Sequence, residues 1–184
     1  MSMQLDVAHL SLNQTTIISG LHIDVPPGVV HTVMGPSGSG KSSLLAAVCG
    51  TLPPVFTFDG TVVLDGERID ALPTRQRCVG ILFQDDLLFA HMTVRENLLF
   101  AVPAGPRAAR EAQVTQALND LEMPGFAGAD PATLSGGQRA RVALMRALLA
   151  QPNALLLDEP FSKLDTALRQ RVREIGRASC RERV

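Results

Sequence analysis

A chain of 184 residues, 46% apolar and 19% charged, is long enough to bury a core of its own, which excludes wholesale disorder. Its 17 Lys and Arg against 18 Asp and Glu give a formal net charge of -1, so no global charge draws it to nucleic acid or anionic lipid. Cys49, Cys78 and Cys180 are odd in number, form no CxxC pair and read as buried or incidental thiols rather than a metal or redox site. No apolar run approaches the ~18 residues of a membrane span. The opening "MSMQLDVAHL" lacks the basic-then-apolar pattern of a secretion signal, so the chain reads as cytosolic.

In chain order, the first ~28 residues carry short alternating runs ending in the turn "VPPG", the pattern of β-structure laid beside a core. The strands expected next are "VVHTVM" (29–34), "TVVLDG" (61–66), "VGILF" (79–83) and "ALLLDE" (154–159). Helices are expected at "GKSSLLAAV", at "PRAAREAQVTQALNDLEM" and at "GGQRARVALMRALLA". The second opens on Pro106 and sets Val114, Ala117, Leu118 and Leu121 on one face. The third sets Val142, Met145 and Leu149 on one side, with Arg139 and Arg146 elsewhere. Strands alternating with helices predict an α/β fold with a largely parallel sheet. Between Gln84 and Ala150 helices take over, which predicts a helical subdomain inserted at about residues 85–150.

"GPSGSGKS" stands between a predicted strand and a predicted helix. Its glycines let backbone N–H groups turn inward around phosphate oxygens, and the helix that follows adds its positive dipole end. Gly35, Pro36, Ser37, Gly38, Ser39 and Gly40 form the cradle, with Ser43 in the first helical turn. Lys41 reaches the β- and γ-phosphates, and the Ser42 hydroxyl ligates Mg²⁺. ATP and Mg²⁺ are therefore the expected ligands.

"ALLLDEP" ends an apolar strand in two carboxylates. Asp158 is placed to hold Mg²⁺ through water, and Glu159 to face the γ-phosphate and orient or deprotonate the attacking water.

"PATLSGGQRARVALMRALLAQPNALLLDEPFSKLD" joins that strand to "LSGGQ", a helix-opening signature about twenty residues before it. Alone, "SGGQ" also reads as a Ser-Gly helix cap. With the phosphate loop, the acidic strand, Gln84 after "VGILF" and "FSKLD" in order, the chain resembles the ABC-type ATPases as far as about Arg173. Within that family it looks most like the ATP-binding subunits of bacterial solute importers.

The resemblance implies a P-loop NTPase: a RecA-like core with an N-terminal β subdomain and an inserted helical subdomain. It implies Gln84 as a Q-loop residue that touches Mg²⁺ and acts with Glu159 in catalysis. It implies a head-to-tail dimer, in which Ser135, Gly136, Gly137, Gln138 and Asp165 complete the ATP site of a second ATPase subunit. It further implies transmembrane permease subunits, a solute-binding protein, no nucleic acid, and a place on the inner face of the cell membrane. "DDLLFAHMTVREN" is either the permease contact or ordinary core of the helical subdomain.

Two departures stand out. The family stacks an aromatic ring on adenine ahead of the phosphate loop, where this chain has Leu12, Asn13 or Gln14; all seven Phe follow Lys41. Losing a stacked ring costs about 1–3 kcal/mol by analogy with nucleic-acid binders, so weaker adenine selectivity is expected. The family also places a His on a strand after the D-loop helix, and His9, His22, His31 and His91 all lie too early.

The expected organisation is an incomplete ABC ATPase domain over residues 1–173, lacking the C-terminal part of its core. A polypeptide with two interior strands left unpaired is not expected to fold to an active ATPase. The closing "EIGRASCRERV" (174–184) matches, residue for residue, the translation of a short-read sequencing adapter and reads as a non-native tail. Two other readings are a soluble, non-transport ABC ATPase and a nucleotide-binding switch with little hydrolysis. The first lacks a second cassette, and Glu159 argues against the second.

Overall fold

Asn13 and Gln14, both left-handed with φ of 46° and 68°, close a hairpin between β1 (Met3–Leu12) and β2 (Thr15–Val25). Paired left-handed residues match the right-handed strand twist, which is why so short a polar turn suffices. The structure, a computed structural model, describes residues 2–158. The chain divides into two units, whose described parts are residues 2–81 and 82–158.

In the first unit β1 is the inner strand of an antiparallel sheet. β2 pairs with one edge, β3 (Phe56–Leu64) with the other, and β4 (Glu67–Arg68) folds back onto β3, giving the order β2-β1-β3-β4. The buried positions along β1 run Leu5, Val7 and then Leu10, a slip in the two-residue alternation. The β1–β3 register shifts between Val7 and His9, so Ala8 is an inserted residue that turns the strand's apolar side back to the same face. Gly60 is required there. A Cβ on it would lie 2.3 Å from the Asp6 carbonyl oxygen.

α1 (Lys41–Cys49) buries Leu44, Ala47, Val48 and Cys49 and stops at Gly50, left-handed at φ 81°. The Gly50 amide donates to the Ala46 and Ala47 carbonyls, satisfying acceptors the helix leaves open.

The predicted strand at residues 29–34 does not form. The segment has no regular structure and is exposed, with Val30 80% and Met34 87% accessible. Such a strand is stabilised inside a sheet by ladders on its edges, and among the described residues none pairs with it. The largest sheet among the described residues is accordingly antiparallel, where a largely parallel one was expected. β5 (Val79–Leu82) and β6 (Ala154–Leu157) form a separate two-stranded sheet. The amide of Asp158, just past β6, donates to the carbonyl of Leu82, the last residue of β5, so both strands end on the same side.

The second unit is mainly helical: α2 (Val94–Ala101), α3 (Arg107–Asp120) and α4 (Gly136–Leu149). Pro106 stands at the N-cap of α3, one residue earlier than predicted, and the expected face of Val114, Ala117, Leu118 and Leu121 is buried. That face packs with Val94, Leu98, Leu134, Val142 and Met145 in one apolar cluster. The other side of α4, through Ala140, Ala143 and Leu144, packs with Leu82, Leu155 and Leu157. α4 is thus apolar on two sides, which ties the helices to the strand ends.

Candidate nucleotide site

The loop before α1 takes its shape from two left-handed glycines, Gly38 (φ 79°) and Gly40 (φ 87°). At Gly40 space as well as φ excludes a side chain: a Cβ would lie 2.6 Å from Ile17 Cγ2. α1 then begins at Lys41, with no side-chain cap and no acidic residue in its first turn. Its first amide donors and its positive dipole end therefore meet no carboxylate from the helix itself. The Lys41 ammonium donates to the carbonyls of Gly35 (2.9 Å) and Pro36 (2.8 Å), which holds the charge across the loop. Amide donors, a cation and backbone that approaches closely are the donor set a polyphosphate requires, so these residues fit ATP.

Of the other predicted residues, Gln84 and Asp158 lie in the second unit. Gln84 is exposed in the bend after β5, and Asp158 follows β6. The hydrogen bond from the Asp158 amide to Leu82 brings the two to the same end of this strand pair. Ser42, the remaining predicted metal ligand, is the second residue of α1 in the first unit. Carboxylate, amide and hydroxyl oxygens suit Mg²⁺ in their chemistry. Glu159, Asp165, Cys180 and the 174–184 tail lie outside the described residues.

The signature segment is a reciprocal helix cap. Ser135 Oγ accepts from the Gln138 amide (3.2 Å), and Gln138 Oε1 accepts from the Ser135 amide (2.8 Å). The cap fixes the Ser135 oxygen. Ser135 is exposed, and a Cβ on Gly136 would meet only Arg139 Nη2 at 3.9 Å, so an incoming group could approach this turn closely.

Three side chains that carried no role in the sequence reading organise the stretch after Gln84. Arg139 donates to the Leu134 carbonyl (2.6 Å) and pairs with Asp86 (3.4 Å). Arg146 donates to the Leu87 carbonyl (2.9 Å) and lies 5.0 Å over the Phe89 ring, while burial pulls its pKa down. Asn97, fully buried, accepts from the Phe89 amide and donates to the carbonyls of Phe89, Met92 and Thr93. The sequence sets the two arginines away from the Val142, Met145 and Leu149 side of α4, but nothing local announces their acceptors. Burial along "DDLLFAHMTVREN" is uneven. Val94 is core, whereas Leu87 is 57% exposed and Phe100, three residues beyond the segment, is 64% exposed, edge-on to Phe89 at 4.9 Å.

At the hairpin end, Leu12 is half-buried and Asn13 and Gln14 are exposed. The register sets Phe56 opposite Leu12, a ring that sequence order had hidden far downstream. The buried Cys49 thiol has its pKa pushed up by desolvation.

The family model described as "ABC transporter" matches residues 18–162. The chain is 52% identical over 166 residues to the uncharacterized ABC transporter ATP-binding protein YnjD of Escherichia coli K12, covering 90% of this chain and 76% of that one. It is 41% identical over 179 residues to the sulfate/thiosulfate import ATP-binding protein CysA of Vibrio vulnificus and 38% to that of Bacillus cereus. These matches cover 94% of this chain but span only about half the length of the CysA proteins, 51% and 49%. With most of its described length under one family model and a relative at 52% identity, the chain belongs to the ABC transporter family of ATP-binding proteins.

Proposed function

We propose that the protein binds MgATP at the loop from Gly35 to Ser43 and hydrolyses it to power a bacterial importer. The single observation that carries this is the loop itself. Left-handed Gly38 and Gly40 lead into an acid-free helix start, with Lys41 held across it. Phosphate oxygens take up the amides and the ammonium in place of the Gly35 and Pro36 carbonyls. Ser42, Gln84 and Asp158 hold Mg²⁺, which when bound neutralises charge on the phosphates. Glu159 orients and deprotonates the attacking water.

The signature turn acts across a dimer. Ser135 donates its hydroxyl proton, and Gly136 and Gly137 their amides, to the γ-phosphate on a second ATPase subunit, with Gln138 and Asp165 beside them. The exposed Leu87 and Phe100 with the Phe89 edge form the contact for transmembrane permease subunits, on the inner face of the membrane. The importer reading draws on the CysA relatives, whose names specify import, and a solute-binding protein is the further partner that an importer calls for.

Binding of a fluorescent ATP analogue and phosphate release by the full-length gene product provide the test. Lys41→Ala is expected to abolish binding, and Glu159→Gln to keep binding but remove turnover. Turnover that survives Glu159→Gln overturns the assignment of the base. Tight ATP binding by Lys41→Ala overturns the site.

A further inference from the structure

Arg77 is a buried cation without a buried anion. It is 9% exposed, and its guanidinium donates only to backbone carbonyls: Ala47 (2.8 Å), Val48 (2.9 Å), Leu72 (2.9 Å) and Asp70 (2.7 Å). Among the described residues no carboxylate forms an ion pair with it, and the nearby Asp70 carboxylate is bonded to Arg68 and the Val62 amide. Ala47 and Val48 lie in the last turn of α1, the helix whose first turn closes the phosphate loop. The counter-charge of Arg77 is therefore the negative dipole end of α1.

From this arrangement we infer that Arg77 is a positioning residue for nucleotide phosphates, acting through α1. A helix presents opposite partial charges at its two ends, and the negative end subtracts from the field its positive end offers an anion. Nine residues make α1 only about 13 Å long, so that subtraction is not negligible at the phosphate loop. A full positive charge buried on the negative end cancels it, and because it is shielded from solvent it is weakly screened. The bonds to Ala47 and Val48, with those to Leu72 and Asp70, also tie the end of α1 to the segment beside it and so constrain the aim of its first amides. Solvent-exposed Thr74 donates to the Gly50 carbonyl (2.6 Å) at the same helix end, which offers a surface position for a weaker, solvent-screened charge on that end, read at low ionic strength.

The inference rests on the proposed nucleotide site, and the test separates the two. Affinities of the full-length protein for ATP, ADP and AMP are measured in EDTA, where ligand charge falls stepwise along the series. Arg77→Met is expected to weaken binding by roughly three- to tenfold per unit of ligand charge, so ATP suffers most and AMP least. Arg77→Lys keeps the charge and is expected to bind all three nucleotides nearly as wild type does, with no loss graded by ligand charge. Should Arg77→Met not fold, Thr74→Glu and Thr74→Lys make the same comparison from the surface, with ATP binding weakened by Glu and not by Lys. Equal losses for all three nucleotides, or Thr74→Glu and Thr74→Lys behaving alike, reduce Arg77 to a helix cap and overturn the inference. A wild-type protein that binds no ATP overturns the site and the inference together, whereas wild-type binding with ungraded variants overturns the inference alone.

Discussion

The guanidinium of Arg77 occupies the space a side chain at Gly50 would need: a Cβ there would lie 2.6 Å from Nε and 2.7 Å from Cζ. Gly50 is also left-handed, at φ 81°, so two independent constraints meet at the end of α1. Gly50→Ala is expected to destabilise the protein by about 2–4 kcal/mol, combining backbone strain with displacement of a buried charge. Urea unfolding followed by circular dichroism reads this, since the chain has no Trp or Tyr. A loss below 1 kcal/mol would mean the guanidinium moves aside freely.

Asn97 carries a comparable load in the second unit. Its side chain serves Phe89, Met92 and Thr93 with no exposure, so Asn97→Ala takes from the Phe89 amide and the Met92 carbonyl the partner it gives them and weakens the bonding of the Phe89 and Thr93 carbonyls. The expected cost is about 2–4 kcal/mol. Because these bonds hold the segment after Gln84, hydrogen exchange at the Phe89 amide should accelerate far more than exchange within α3. Uniform acceleration would show that Asn97 supports the fold generally and not this segment.

His22 and Asp6 face each other across β1 and β2, with Nδ1 and Oδ1 2.5 Å apart. The hydrogen bond to Asp6, then its charge, raises the His22 pKa above the ordinary value of 6.5. A raised folded-state pKa gives stability that is full below the unfolded value and disappears as pH rises through the folded one. The melting temperatures of wild type and Asp6→Asn should therefore differ most near pH 5.5 and converge by about pH 9. A difference that persists at high pH would assign the effect to strand pairing instead.

Ser135→Ala removes one half of the reciprocal cap on α4, for an expected loss of about 1 kcal/mol. If the hydroxyl also serves a phosphate in trans, turnover should fall by about a hundredfold or more while ATP binding to the isolated subunit stays unchanged. Ser135→Asp separates the roles, since Asp caps a helix but repels phosphate. Its stability should match wild type and its turnover should not. Turnover near wild type in Ser135→Ala would leave the cap as the only role of this residue.

Much of the local geometry of the candidate site was legible in the sequence because its residues are consecutive. "GPSGSGKS" contains its own turn formers, donors and helix start, and "SGGQ" contains both halves of its cap, so neither depends on a distant partner. The same locality explains why the face of α3 was readable: Val114, Ala117, Leu118 and Leu121 repeat at helical spacing. The slip at Ala8, the Phe56 ring opposite Leu12, the acceptors of Arg139 and Arg146 and the clamp of Arg77 on α1 were not. Arg77 and Ala47 are 30 residues apart, and Arg146 and Leu87 are 59. Residues 29–34 mark the boundary between the two kinds of information. Their β-branched run expresses a strand preference that the sequence carries alone, but a strand exists only where a neighbour completes its hydrogen-bond ladder, and the tertiary structure decides whether there is one.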